Sequence, residues 1–227
     1  MLNLVQNKKM NLTKHLTKTT FADILPTAIL RGKLFVFQLS APSDFSNIDP
    51  TNTDAMIQRT AELMNSNKAI LGVGRYAEIR ELYQHPQYGN RCIHLGLDLT
   101  APAGTPVYAP LSGKIHSFAN NAAAGDYGPT IILEHNIDNF VFYTLYGHLS
   151  LSSISNIKVN GTVEEKSIVG HIGEQYCNGG WPPHLHFQII QDIKNQKGDY
   201  PGVCSLENQA EMLANCPNPN LIVKLPL

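Results

Sequence analysis

Pro129 to Gly147 reads P-T-I-I-L-E-H-N-I-D-N-F-V-F-Y-T-L-Y-G. It holds two runs rich in β-branched and aromatic residues, Pro129–His135 and Phe140–Gly147. Only a short polar connection joins them, with no helix of the crossover length that a parallel pair requires. The same pattern continues outward as short runs punctuated by Gly, Pro and Asn: Pro106–Ala109 and Gly113–Phe118 upstream, Ser167–Ile172 and His184–Ile190 downstream. Six such strands predict a mainly β domain, an antiparallel sandwich or open barrel, over residues 91–191.

The flanking stretches differ in character. Ile29–Leu39 predicts a strand or hairpin, ended by the turn chemistry of Pro42, Ser43 and Asp44. From Asn52 to Asn67, Ile57, Ala61 and Met64 recur at helical spacing and Asn52 or Thr53 can cap the first turn. A second short helix is expected over Tyr76–Tyr83, before His85, Pro86 and Gly89 break the chain. With no Gly/Ser-rich linker ahead of Arg91, residues 21–90 predict an accessory α/β lobe beside the β domain rather than an independent unit. Residues 1–20 predict a mobile tail, and residues 192–227 a C-terminal extension, helical around Leu206–Leu213, that packs on the core.

Composition excludes several functions. The 227 residues are 43% hydrophobic and 15% charged, which is ordinary for a globular protein and too little charge for a disordered or coiled-coil chain. Seventeen Lys plus Arg against 18 Asp plus Glu leave a net charge of −1, so no global field holds nucleic acid or an anionic membrane. No apolar run approaches the roughly 18 residues that suggest a membrane span. The lysine-containing N-terminus is followed by no apolar secretory segment. Cys92, Cys177, Cys204 and Cys216 form no C-x-x-C pair and read as free thiols of a reducing compartment. The expectation is a cytoplasmic protein, or an exported or periplasmic one if a leader was removed. Nothing in the sequence gives the oligomeric state.

Candidate chemistry gathers at histidines. In W-P-P-H-L-H-F-Q-I-I, His184 and His186 share one face of a strand, roughly 6.6–6.8 Å apart along it, while Leu185 and Phe187 turn to the core. Two imidazoles so placed cannot both be undistorted ligands of one zinc at roughly 2.0–2.1 Å unless the strand bends. One is then a ligand and the other a catalytic neighbour; the bland alternative is two satisfied histidines on a half-exposed strand. In C-I-H-L-G-L-D-L-T, the alternation of Leu95, Leu97 and Leu99 favours extended chain, which would hold His94 and Asp98 roughly 13 Å apart. A bend or bulge at Gly96 brings them together; otherwise they are a surface histidine and a turn-capping aspartate. His148, in F-Y-T-L-Y-G-H-L-S, ends a strong strand, where it can orient water or face an oxyanion. His116, His135 and His171 lack second partners and read as structural, and His15 and His85 as solvated.

Taken together, these residues resemble the lysostaphin-like, or LytM-type, zinc metallopeptidases, which cleave short peptide cross-links in bacterial cell walls. The match comprises His94-Leu95-Gly96-Leu97-Asp98, His148 in Y-G-H-L-S and His184-Leu185-His186, with A-P-A-G-T-P-V-Y-A-P-L-S-G-K-I and P-H-L-H-F around them. The resemblance covers residues 91–191. It implies an antiparallel β fold, zinc held by His94, Asp98 and His186, and catalytic roles for His148 and His184. With no H-E-x-x-H glutamate, a neutral histidine would serve as general base. Where the family commonly has S-T-G-P, this chain has W-P-P, so that Trp181 is expected to narrow the groove. The flanks are similar to segments beside this domain in multi-domain proteins that join it to a kinase-like phosphotransferase and an aminotransferase; on that comparison the substrate need not be a wall peptide.

The expected activity is zinc-dependent endopeptidase cleavage of short peptides, with peptidoglycan cross-links as one substrate class. One rival is a non-catalytic binding or regulatory module of the same fold. Another is a histidine phosphocarrier, against which Asp98 argues, since a carboxylate beside a phosphohistidine repels it.

Overall fold

The computed structural model describes residues 12–84 and 86–227. Its strands are β1 (Leu34–Val36), β2 (Leu71–Gly74), β3 (Arg91–His94), β4 (Leu97–Thr100), β5 (Pro106–Tyr108), β6 (Gly113–Asn121), β7 (Gly128–Ile137), β8 (Phe140–Gly147), β9 (Thr162–Val163), β10 (Ile168–His171), β11 (His184–Ile190) and β12 (Val203–Ser205). The two strands expected within Pro129–Gly147 are β7 and β8, which form a hairpin paired antiparallel from Ile131 opposite Tyr146 to Ile137 opposite Phe140. It turns at Asp138 and Asn139, whose φ values of 50° and 67° suit the right-handed twist of the strands on either side.

Eight strands form one sheet in the order β1-β2-β4-β11-β8-β7-β6-β9, while β5 pairs with β10 and β3 with β12 in two small sheets. The mainly β, largely antiparallel architecture agrees with the sequence. The main core lies between the large sheet and the β5–β10 pair: Leu97, Leu99, Leu185, Phe187, Ile131, Leu133 and Phe142 pack with Val107, Ala109, Val169 and Ile172. The opposite face is covered too. Ile132, Leu145 and Ile190 meet Tyr200, Cys204 and Cys216 from the C-terminal extension. Two covered faces explain the unbroken apolar run Ile131-Ile132-Leu133.

The lobe is continuous with this sheet. β1 lies parallel to β2, with the helix Thr53–Ser66 between them in sequence, and β2 pairs antiparallel with β4, Gly72 opposite Thr100 and Gly74 opposite Asp98. The helix is capped as expected: the Asn52 side chain accepts from the Ala55 amide. Phe37, Leu39, Phe45 and Met56 form a small apolar cluster of their own beneath it. At the C-terminus, Ile222, Val223 and Leu225 join the main core, and Arg31 of the lobe donates to the Lys224 carbonyl at 3.1 Å.

Four local expectations are corrected. The tail is helical over residues 12–18, because Leu12 and Leu16, one helical turn apart, are buried in the main core; residues 1–11 lie outside the described residues. Ile29–Leu39 is split between a short helix, Thr27–Leu30, and β1. Tyr76–Tyr83 is not a helix: Ile79 bridges Ile93, and only Glu81–Gln84 forms a 3₁₀ turn. The C-terminal helix begins at Gln209 rather than Leu206.

Because β2 hydrogen-bonds directly to β4, limited proteolysis near residue 90 should yield no stable fragment running from Arg91 to Leu227. Two folded pieces after a clean cut would show that the lobe is independent. A second expectation concerns His135, which is 1% exposed, with Nδ1 3.0 Å from the Ser112 carbonyl and Nε2 2.7 Å from Thr144 Oγ1. Burial lowers its pKa to about 4. Below about pH 6.5 the unfolded chain takes up a proton that the folded chain refuses until about pH 4, so stability falls through that window and is unaffected above it. Denaturant titrations should therefore show the stability advantage of wild type over His135→Gln shrinking by about 1.4 kcal/mol per pH unit within the window. A pH-independent gap would contradict this.

Candidate active site

Strand register assembles the site. β11 lies between β4 and β8, and His186 stands opposite Asp98 on one side and Gly147 on the other. Facing side chains on neighbouring strands are the closest contacts a sheet offers, so Asp98 and His186 meet without any loop to bring them together. His148 follows Gly147 directly, at the end of β8. Its φ of +61° is left-handed, a conformation that costs a non-glycine residue about 1–2 kcal/mol and is retained here while its amide donates to the Tyr127 carbonyl. His94 ends β3 in a different sheet, and Leu95-Gly96 carries the chain across to β4. The bend expected at Gly96 is present as this break between strands. Glycine is needed for a steric reason: a Cβ there would lie 2.4 Å from Cε1 of His186.

Three donor atoms converge. His94 Nε2 lies 3.0 Å from His186 Nδ1 and 3.2 Å from Asp98 Oδ1, and His186 Nδ1 lies 3.0 Å from the same oxygen. A tetrahedral site with bonds of roughly 2.0–2.1 Å has ligand atoms roughly 3.3–3.4 Å apart, so this triangle is close to one face of such a site. Among the described residues it is the one His/Asp/Glu/Cys cluster whose ligand atoms lie this close together. His184, two residues along β11, stands just outside it, with Nε2 3.8 Å from Asp98 Oδ1 and its ring centroid 4.2 Å from that of His148. The four histidines and the aspartate named from the sequence thus meet in one place. His116, His135 and His171 do not join them, nor does His15, which instead bonds Asp138 at 3.0 Å and packs on Phe140. His85 lies outside the described residues.

The outer ring nitrogens decide which lone pairs face inward. His186 Nε2 lies 2.9 Å from Gln188 Oε1, and the Gln188 amide is oriented by donating through Nε2 to the Pro201 carbonyl, so His186 Nε2 carries the proton and Nδ1 is a free lone pair. His184 Nδ1 donates to the Pro182 carbonyl at 2.7 Å and His148 Nδ1 to the Asn178 carbonyl at 2.8 Å, which frees both Nε2 atoms. His94 Nδ1 sits 2.9 Å from both the Arg75 carbonyl and Arg80 Nη2, so it has a partner in either tautomer. Burial holds His94, His148 and His184 neutral. It lowers His94 to about 4, with the Arg80 charge adding to the effect; it lowers His148 well below its ordinary value, helped by His184; and it lowers His184. Burial alone would raise the Asp98 pKa, but the neighbouring His94 and the Arg80 cation hold it well below the usual carboxylate range.

Beside these atoms runs a groove of about 790 Å³, lined by Phe37, Met56 and Tyr83 of the lobe and by Asp126, Trp181 and Asp199. The Trp181 ring stands edge-on to His148 at 6.4 Å, in the place the W-P-P substitution suggested. Thr53 of the lobe donates to the Gly180 carbonyl, tying the Trp181 loop to a helix N-terminus. Sequence reading missed Arg80, whose guanidinium donates to Asp98 Oδ2 at 2.6 Å although only 4% of the residue is exposed. Nothing in E-I-R-E distinguishes it from a solvated arginine.

Comparison with known proteins now bears on this geometry. Residues 92–199 match the profile of Peptidase family M23. This segment, just under half of the chain, is similar to that family. Peptidoglycan DD-endopeptidase ShyB of Vibrio cholerae is 29% identical over 128 residues, covering 55% of this chain and 28% of that protein. DD-carboxypeptidase/endopeptidase Mpg of Neisseria meningitidis is 35% identical over 104 residues, covering 46% and 21%. The catalytic domain of lysostaphin from Staphylococcus simulans is 30% identical, covering 59% of this chain and 81% of that one, with a TM-score of 0.39. The chain thus spans 28% and 21% of the length of the two curated relatives. Arg80 and the apolar wall of the lobe lie outside the M23 match.

Gly96→Ala should displace the His186 ring. A drop of about 1–3 kcal/mol in stability, together with weaker metal uptake, is expected from denaturation and metal titration; full retention of both would show that the β3–β4 link can yield.

Proposed function

We propose that this protein is a zinc-dependent metalloendopeptidase that hydrolyses short peptides, with the peptide cross-links of peptidoglycan as its substrate class. The observation that carries the reading is the triangle of His94 Nε2, Asp98 Oδ1 and His186 Nδ1, with edges of 3.0–3.2 Å, beside two further neutral histidines. Two imidazoles and one carboxylate suit zinc, and three protein ligands leave a position open, as in catalytic rather than closed structural sites. The names of the relatives support the substrate class.

Zinc bound to these three residues supplies Lewis acidity toward a scissile carbonyl and toward water. The chain's own residues do the rest. Gln188 fixes the tautomer of His186 and so keeps Nδ1 a donor. His184 and His148 present Nε2 lone pairs to the groove: one accepts the proton of the attacking water, and the other, once protonated, faces the developing oxyanion. The carbonyls of Pro182 and Asn178 keep those rings in the tautomer that a base requires. Asp98, within 3.8 Å of three histidine nitrogens, disfavours a phosphocarrier.

The test pairs metal content with turnover of a short Gly- or Ala-containing peptide. Asp98→Ala and His186→Ala should lose metal and activity together. His184→Ala should keep the metal and lose about 10²–10⁴-fold in activity. Full zinc occupancy in Asp98→Ala would show the ligand set to be wrong, and exchanged behaviour of His184 and His186 would exchange their roles.

A further inference from the structure

Arg80 touches two of the three residues assigned to the metal. Its Nη1 donates to Asp98 Oδ2 at 2.6 Å and its Nη2 lies 2.9 Å from His94 Nδ1. The guanidinium comes from the segment between β2 and β3, and Tyr83 Oη holds it at 3.0 Å. Behind it stands Glu78, whose Oε2 lies 3.5 Å from Arg80 Nε, too far for a hydrogen bond but close enough for an ion pair. Glu78 Oε1 accepts from the Leu39 amide at 3.3 Å and lies 3.7 Å from Arg75 Nη1, so the carboxylate is held by the lobe.

We propose that Arg80 is a positioning residue that competes with the metal for Asp98 and His94, and that Glu78 moderates it. The proposal rests on the metal reading of the preceding section. A guanidinium does not lose its proton in a protein, so its charge is present whether or not the site holds a cation. With the site empty, that charge pairs Asp98. It also offers His94 Nδ1 a donor, which suits the tautomer whose Nε2 carries a proton and cannot be a ligand. With a divalent cation in place, two positive centres share one buried carboxylate and repel each other where the dielectric is low, and His94, with Nε2 as its free lone pair, turns an Nδ1 proton toward the Arg80 donor. Arg80 also occupies Oδ2, leaving Oδ1 as the oxygen free to coordinate. The consequence is a metal held less tightly and less neutralised by its ligands. Glu78 works in the opposite direction by screening the guanidinium.

The two side chains therefore predict changes of opposite sign, which loss of structural support alone would not produce. Zinc affinity of the full chain is measured at pH 8 by competition with a chromophoric chelator. Arg80→Gln should bind zinc on the order of tenfold more tightly than wild type, the effect of removing about 1.4 kcal/mol of charge repulsion. Arg80→Lys, which keeps the charge, should stay near wild type, and Glu78→Gln should bind more weakly. Weaker or unchanged binding in Arg80→Gln overturns the proposal. If that variant does not fold, tighter or unchanged binding in Glu78→Gln overturns it instead. A wild type that takes up no zinc overturns the metal reading together with this proposal, whereas a wild type that binds zinc and an Arg80→Gln that binds it less tightly overturn the proposal alone.

Discussion

The pairing of β11 with β4 and β8 puts His186 opposite Asp98 and Gly147, and the rest of the site is arranged around that row. A shift of one residue would turn His186 into the core and Leu185 or Phe187 into the groove. Leu185, Phe187 and Ile189 are fully buried on the core side, so the same apolar contacts that stabilise the sheet also hold the register of the chemistry. The precision of the donor triangle is thus inherited from core packing. The site needs little rigidity of its own beyond the carbonyl and amide oxygens that hold its imidazoles in place.

What was legible in the sequence follows from how local the signal is. β8 and β11 end where the residue pattern ends, and the helix after Asn52 begins at its cap, because alternation and capping act within a few residues. The histidines and Asp98 were legible because the chemistry demands those residue types at fixed places on β3, β4 and β11 and at the end of β8. The break at Gly96 was legible as a bend, but its cause was not: the glycine makes room for a ring 90 residues away. Arg80 was illegible for the same reason. Its burial is produced by β2 pairing with β4 and by β3 returning beside it, and a short polar segment carries no trace of either event. Leu12 and Leu16 were overlooked because two apolar residues among Thr, Lys and His are too few to announce a helix without the core that receives them.

The lobe contributes a wall to the groove, a hydroxyl to the Trp181 loop and a guanidinium to Asp98. The likeness to the family rests on residues 92–199 alone. Two questions therefore separate: what reaction the site can perform, which its histidines answer, and what the groove accepts, to which residues outside the family match also contribute. Phe37, Met56 and Tyr83 of the lobe line the groove together with the acidic Asp126 and Asp199, so an occupant would meet both apolar and anionic groups.

The large sheet also has a property that concerns its neighbours rather than its site. Its outermost strands, β1 and β9, are three and two residues long. Without β1 and β2, β4 would present an unpaired ladder of amides and carbonyls directly beside Asp98, the kind of border onto which a foreign strand can add. With them, that border is moved two strands outward and shortened to a remnant. The sheet ends at both margins in strands too short to template another chain, so extended peptide has no ready place to attach by backbone pairing at its rims and is left to the groove.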